Sequence, residues 1–157
     1  MKSRTWITYL WNILLAEAVG VLAGWLTRES TRIYATTLQK PPLSPPGFLF
    51  PIIWVILFAL MGIGAARIRL AIPSTRRTQS LAVYWAQLIV NFFWSLIFFN
   101  LQAYGPAFLW LLLLWVLVLR MILVFRRVDR LAEWLQIPYL LWVTFAAYLN
   151  LGVWLLN

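Results

Sequence analysis

From Thr78 to Leu119 the chain carries no charged side chain, a stretch about twice the roughly 20 residues that one bilayer-crossing helix needs. It must turn back once, and Asn100-Leu101-Gln102-Ala103-Tyr104-Gly105-Pro106 supplies the polar, Gly-Pro-bearing break where it does so. Three further apolar runs accompany it: Thr5 to Thr27, interrupted only by Glu17; Phe48 to Ala66; and Trp134 to Asn157. With 64% hydrophobic and 11% charged residues in 157, the chain has too little polar surface for a soluble domain. The expectation is an all-α integral membrane protein, a five-transmembrane-helix bundle forming one domain over 1–157. Its helices fall at about 6–26, 46–68, 80–100, 106–126 and 133–156, with a connector over 27–45.

Cysteine and histidine are both absent, which removes disulfides, zinc sites and the usual thiolate or imidazole ligands of haem iron; no metal site and no required cofactor are expected. Lys2 and Arg4 precede an apolar run in which Ala16-Glu17-Ala18 has the small-x-small form of a signal cleavage site. The run continues past it from Val19 to Leu26, so an anchoring helix is the better reading.

The cations are unevenly shared. Lys2, Arg4, Arg67, Arg69, Arg76, Arg77, Arg120, Arg126, Arg127 and Arg130 fall on the side of the N-terminus, ten of the thirteen, and only Arg28, Arg32 and Lys40 lie opposite. The positive-inside rule then puts the N-terminus in the cytoplasm and the connector and C-terminus outside. The net charge of +9 is mostly topology, and with no contiguous basic groove a nucleic-acid partner is not expected.

The stretch Lys40 to Met61 organises the outer side. Pro41-Pro42 and Pro45-Pro46 hold an extended approach, because each ring fixes its own φ and drives the preceding residue from the α region. A helix is expected to begin near Pro46, with Pro51 kinking it and Trp54 and Phe58 one turn apart on its face. A connector of this length suggests a lid, and its three cations offer an acidic ligand its only positive partners on that side.

Spacing supplies three inward stripes. Ala16, Gly20 and Gly24 recur every fourth residue in the first span, either as a groove for a neighbouring helix or as a dimer seam; Glu17 beside them is either a functional site or a protonated, interior-facing residue. Gln87, Asn91 and Trp94 share a face of the third span, as interhelical glue or as pocket wall. In the fifth, which starts near Pro138-Tyr139, Trp142, Ala146 and Asn150 follow one another at four-residue intervals. Of eleven tryptophans, Trp6, Trp25, Trp85, Trp134 and Trp154 sit near helix ends as interfacial anchors, and Trp110 and Trp115 belong to a packing or lipid-facing wall. Trp54, Trp94 and Trp142, on stripes of three separate helices, suit one aromatic pocket. With the connector cations, the fitting ligand is a planar ring system with carboxylates at one edge.

LQKPPLSPPGFLFPIIWVILFALMGIGAA at 38–66, AQLIVNFFWSLIFF at 86–99 and IPYLLWVTFAAYLN at 137–150, in this order and spacing, resemble the translocator protein/tryptophan-rich sensory protein (TspO/MBR, peripheral-type benzodiazepine receptor) family. The resemblance implies a five-helix bundle, usually homodimeric, that binds porphyrins such as protoporphyrin IX or haem, and in animal relatives cholesterol and synthetic drugs. It implies pocket roles for Trp54, Asn91, Trp94, Trp142, Ala146 and Leu149, with Lys40 to Pro46, and so Pro41, Leu43 and Pro45, as the lid. Some relatives degrade protoporphyrin oxidatively under light through the tryptophans that match Trp54 and Trp142. Where the family pattern has a tryptophan this chain has Leu43, and LNLGVWLLN lacks the tyrosine and basic residue of the animal cholesterol motif. The leading expectation is therefore a tetrapyrrole-binding protein with a sensory, regulatory or transport role. The alternative is an enzyme of porphyrin degradation; alternating-access transport is weakened by the lack of an internal repeat.

Overall fold

A computed structural model describes residues 2–157, with side chains from residue 4 onward; Met1 and the side chain of Lys2, part of the charge pattern above, lie outside what is described. The regular elements are helices: α1 (Lys2–Leu26), α2 (Arg28–Thr37), α3 (Leu49–Leu70), α4 (Thr75–Ser95), which runs on into a π-helical turn (Leu96–Asn100), α5 (Tyr104–Arg126), α6 (Arg130–Leu135) and α7 (Ile137–Leu156). Among the described residues, five segments are long and apolar enough to cross a membrane: Arg4–Leu26, Leu49–Leu70, Thr75–Asn100, Tyr104–Arg126 and Arg130–Leu156. The chain is an integral, multi-pass membrane protein built as a five-helix bundle. In it α1 packs on α3, α4 on α5, and α5 on α7.

Several boundaries differ from the sequence reading, each for a local reason. The connector is not all loop: residues 28–37 form α2, whose polar face is held by Thr31, Thr36 and Thr37 hydroxyls donating to carbonyls three or four residues back, while Tyr34 is buried. The second span starts at Leu49 rather than Pro46, which makes Pro51 its third residue. An N–H there has no acceptor within the helix, so the proline removes no ladder bond and the cause of the expected kink disappears. Conversely, the last span is broken at Gln136. Pro138 has no N–H to offer the preceding turn, and the buried Gln136 instead donates from Nε2 to the Leu60 carbonyl at 3.1 Å.

Two of the three positions of the first-span stripe pack within the chain. Ala16 is fully buried, Gly20 lies against the Phe58 ring, and Gly24 faces open space. The closest backbone approach comes from α3, where a Cβ on Gly62 would stand 2.5 Å from the Ile13 Cα. Small residues permit such contact in lipid, where packing rather than water exclusion drives association.

Packing is uneven along the bundle axis. Met61, Ala65 and Ile68 of α3, Leu88 of α4, Val118, Met121 and Phe125 of α5, and Val143 of α7 make a close-packed core in the half nearer the N-terminus. That half is also clamped by charge. Arg67 donates from Nε and Nη2 to both carboxylate oxygens of Asp129, the second at 3.1 Å, and from Nη1 to the Tyr9 hydroxyl at 3.3 Å. Asp129 also caps α6 by accepting from the Ala132 N–H at 3.0 Å. The Arg67 guanidinium, helped by that N–H, holds the Asp129 carboxyl below the usual carboxylate range against the opposing effect of partial burial.

Because the folded-state pKa is depressed, this stabilisation is present above the ordinary carboxylate pKa of about 4 and is lost as the pH falls through the lower, folded value. Asp129→Ala removes the cap and leaves Arg67 half-satisfied, and it should cost about 1–3 kcal/mol in thermal or denaturant unfolding of the purified protein at neutral pH. The gap between wild type and variant should narrow in acid.

Candidate functional site

The other half of the bundle is hollow. A cavity of about 910 Å³ lies between α1, α3, α4 and α7 in the half nearer the C-terminus, beneath the connector. Trp54, Trp94 and Trp142 all line it, so the three stripes read from the sequence do converge.

Trp54 and Trp142 meet edge to face with ring centroids 6.5 Å apart; Phe50 continues the wall, 5.8 Å from Trp142 and 6.3 Å from Tyr34. Across the space, Trp94 stacks on Phe98 at 5.3 Å, and Phe98 lies 5.7 Å from Tyr34. The π-helical turn explains why Phe98 and its neighbour Phe99 both face inward. Leu101 N–H bonds to the Leu96 carbonyl at 3.0 Å, and the wider turn brings two successive rings to the same side. Edge-to-face and offset pairs of this kind fix ring positions and leave flat apolar walls.

Buried amides hold the tryptophans. Trp94 Nε1 donates to Asn150 Oδ1 at 3.1 Å, and Asn150 Nδ2 donates to the Tyr104 carbonyl at 2.8 Å, tying α4, α7 and α5 together. Asn91 Nδ2 donates to the Tyr139 hydroxyl at 2.6 Å, which donates to Gln87 Oε1 at 2.7 Å. Asn91 reaches the cavity; Gln87 and Tyr139 do not, and form a buried support under its floor. Trp142 Nε1, by contrast, is enclosed without an acceptor. Trp110 and Trp115 brace neighbouring helices by donating to the Val90 carbonyl and the Thr144 hydroxyl, both at 2.8 Å.

The remaining sequence candidates divide in the same way. Phe58, Ala146, Leu149, Arg28, Arg32, Lys40, Pro45 and Pro46 line the cavity, whereas Pro41 and Leu43 do not. Pro41 is buried against Gly152 of α7 and fastens the roof. Further fasteners are Tyr148, whose hydroxyl donates to the Pro42 carbonyl at 2.6 Å, and Asn157, whose side chain exchanges two bonds with the Gln39 backbone at 2.8 and 3.2 Å. Of the connector cations, Lys40 donates to the Ala35 carbonyl at 2.9 Å over the Tyr34 ring, and Arg28 donates to the Trp25 carbonyl at 2.7 Å. No hydrogen bond or ion pair engages the Arg32 guanidinium among the described residues. The neighbouring Tyr34 hydroxyl is shifted above its ordinary pKa by burial and then by Tyr104, so it stays neutral at physiological pH.

Leu43 is 83% exposed with φ of 71°, the left-handed region that disfavours residues with a Cβ. Leu43→Gly should raise stability by up to about 1 kcal/mol, since it relieves the backbone without removing a packed side chain, and differential scanning in detergent would register it.

Sequence reasoning did not single out Tyr34, Phe50, Phe98 or Phe99. Tyr34 belongs to a helix hidden in a polar connector, and the others lie in runs too uniformly apolar for a periodic signal.

The TspO/MBR family profile matches residues 12–155. The tryptophan-rich protein TspO of Chlorobaculum tepidum is 36% identical over 144 residues, 91% of either chain. Protein CrtK of Rhodobacter capsulatus is 41% identical over 122 residues, 77% of this chain and 76% of its own. The translocator protein of sheep, Ovis aries, is 35% identical over 152 residues, 95% of this chain and 89% of its own. With its five spans, its roofed aromatic cavity and a match over nearly its whole length, the chain belongs to the TspO/MBR family.

Proposed function

We propose that the protein binds a tetrapyrrole, protoporphyrin IX or haem, in the aromatic cavity and serves a sensory, regulatory or transport role through its occupancy. The observation that carries this reading is the cavity of about 910 Å³ walled by Trp54, Trp94 and Trp142 and rimmed by Arg28, Arg32 and Lys40. Its size is at the upper end of the roughly 300–1,000 Å³ usual for small-molecule sites. A rigid planar ring gains most from flat aromatic walls, and its carboxylates from cations that are otherwise scarce on that side. The relatives' names, tryptophan-rich sensory protein and translocator protein, agree with a sensory or transport role.

We place the N-terminus in the cytoplasm, because Arg67, Arg69, Arg76, Arg77, Arg120, Arg126, Arg127 and Arg130 gather at that end of the spans. We also expect a homodimer in the bilayer.

The test is quenching of tryptophan fluorescence in nanodiscs of zwitterionic lipid, titrated with protoporphyrin IX and with its dimethyl ester. Saturable quenching by the acid, with the ester weaker by about tenfold or more, is expected if rim cations hold the carboxylates, because charge-assisted bonds contribute about 1.5–3 kcal/mol. Quenching no greater than in empty discs mixed with a non-binding membrane protein would remove the reading.

A second reading rests on the Trp54–Trp142 contact at 6.5 Å, which suits transfer of an electron between indoles during light-driven porphyrin oxidation. Illumination under oxygen, with protein-bound porphyrin compared against free porphyrin, decides it. Product spectra identical to simple bleaching would exclude the enzyme.

A further inference from the structure

The cavity holds a charged group that porphyrin carboxylates do not use. Cavity-lining positions on α1 and α2 form one continuous stripe, with Glu17 at the inner end, then Gly20 and Gly24, then Arg28 and Arg32 at the roof. Glu17 stands nine positions before the end of α1 at Leu26, about 14 Å along that helix at a rise of about 1.5 Å per residue, whereas Arg28 and Arg32 belong to α2. The other charged side chain lining the cavity is Lys40, again at the roof; α3, α4 and α7 contribute no charged residue to it.

The residues of α3, α4 and α7 that line the cavity with Glu17 are uncharged, presenting carbon, amides or a hydroxyl. Phe58 of α3 fills the place a Cβ on Gly20 would occupy, Val55 and Trp54 lie on the same helix, and the Asn91 amide of α4 is given to Tyr139. No hydrogen bond or ion pair engages the Glu17 carboxyl among the described residues, and the tyrosine, Tyr34, sits under the roof. An acid within the hydrocarbon region is costly unless it is paired, and the protein supplies no cation at this depth.

We infer that Glu17 is a specificity-determining contact that pairs with a cationic nitrogen of the ligand. The cavity would thus take flat apolar molecules bearing a protonated amine, either alone or at the end opposite an acidic edge. This deepens the proposed function, since it assumes that the cavity is the ligand site, but it concerns a chemistry distinct from carboxylate binding. Above Glu17 the Phe58 ring lies against Gly20, while Gly24 faces open space and leaves room for a ligand between Glu17 and the roof.

The test uses two probes in the same zwitterionic nanodiscs: protoporphyrin IX, which has carboxylates and no amine, and quinacrine, a planar dye with a tertiary amine. Wild type should bind quinacrine, with displacement by excess protoporphyrin. Glu17→Gln, nearly isosteric, should weaken quinacrine at least tenfold while protoporphyrin changes less than twofold, and Glu17→Asp should retain most of the dye affinity. Retained porphyrin binding shows that the variant is folded. No quinacrine binding by wild type, an unchanged dye affinity in Glu17→Gln, or equal losses for both probes would each overturn the inference. Failure of the porphyrin reading shows separately, as absent protoporphyrin quenching in wild type with dye binding intact.

Discussion

Truncation of Trp142 to alanine is expected to lower protoporphyrin affinity about 30-fold, a loss of roughly 2 kcal/mol that is typical of a central aromatic anchor. The indole touches Phe50 at 5.8 Å, Phe145 at 5.6 Å and Trp54 at 6.5 Å, so its removal takes out a wall and frees the rings that leaned on it. Stability should fall less than for an ordinary buried tryptophan, because the enclosed Nε1 has no acceptor and its deletion breaks no hydrogen bond.

Trp142→Phe sharpens the contrast, with binding reduced a few-fold and the melting temperature nearly unchanged. Trp94→Phe should do the reverse on stability, costing about 1–2 kcal/mol by leaving Asn150 without its donor. Fluorescence titration and thermal scans on the three variants read both quantities. Unaltered affinity in Trp142→Ala would remove the ligand from this wall.

The largest stability effect is expected at Gly62. A Cβ there would stand 2.5 Å from the Ile13 Cα and 2.8 Å from the Asn12 carbonyl oxygen, both backbone atoms, so no side-chain rotation relieves the clash. Gly62→Val must push α1 off α3, the most extensive helix pair in the bundle, and should cost upward of about 3 kcal/mol or prevent folded protein from accumulating. Gly24→Ala, in α1 but facing open space, is the control and should be tolerated. Yield and monodispersity after detergent extraction separate the two. Equal behaviour would mean that the helices do not meet at Gly62.

What the sequence made legible follows from the strength of each physical signal. Charge-free runs bounded by arginines define the spans because hydrocarbon tolerates little else, and four-residue stripes of Trp, Asn and Gly identify inward faces for the same reason. Depth along a face is weaker information. Gln87 and Asn91 share a stripe, yet one supports the floor and the other reaches the cavity, a difference set by where Tyr139 of another helix inserts. The effect of Pro51 depends on a helix start only two residues upstream, and boundaries carry little pattern. The first-span stripe admits a seam or a groove, and spacing alone does not reveal that Phe58 of another helix lies against Gly20. Leu43 is a lid residue by resemblance alone, and the structure leaves it exposed and outside the cavity lining.

The division of the bundle into a dense half and an open half has an evolutionary consequence. The residues that hold the fold together, such as Gly62, Met121, Phe125 and the Arg67–Asp129 clamp, are spatially segregated from those that line the cavity, such as Glu17, Phe50 and Trp142. Substitutions around the open end can therefore accumulate with little loss of the stability margin, and one scaffold can present differently lined cavities while its foundation stays fixed.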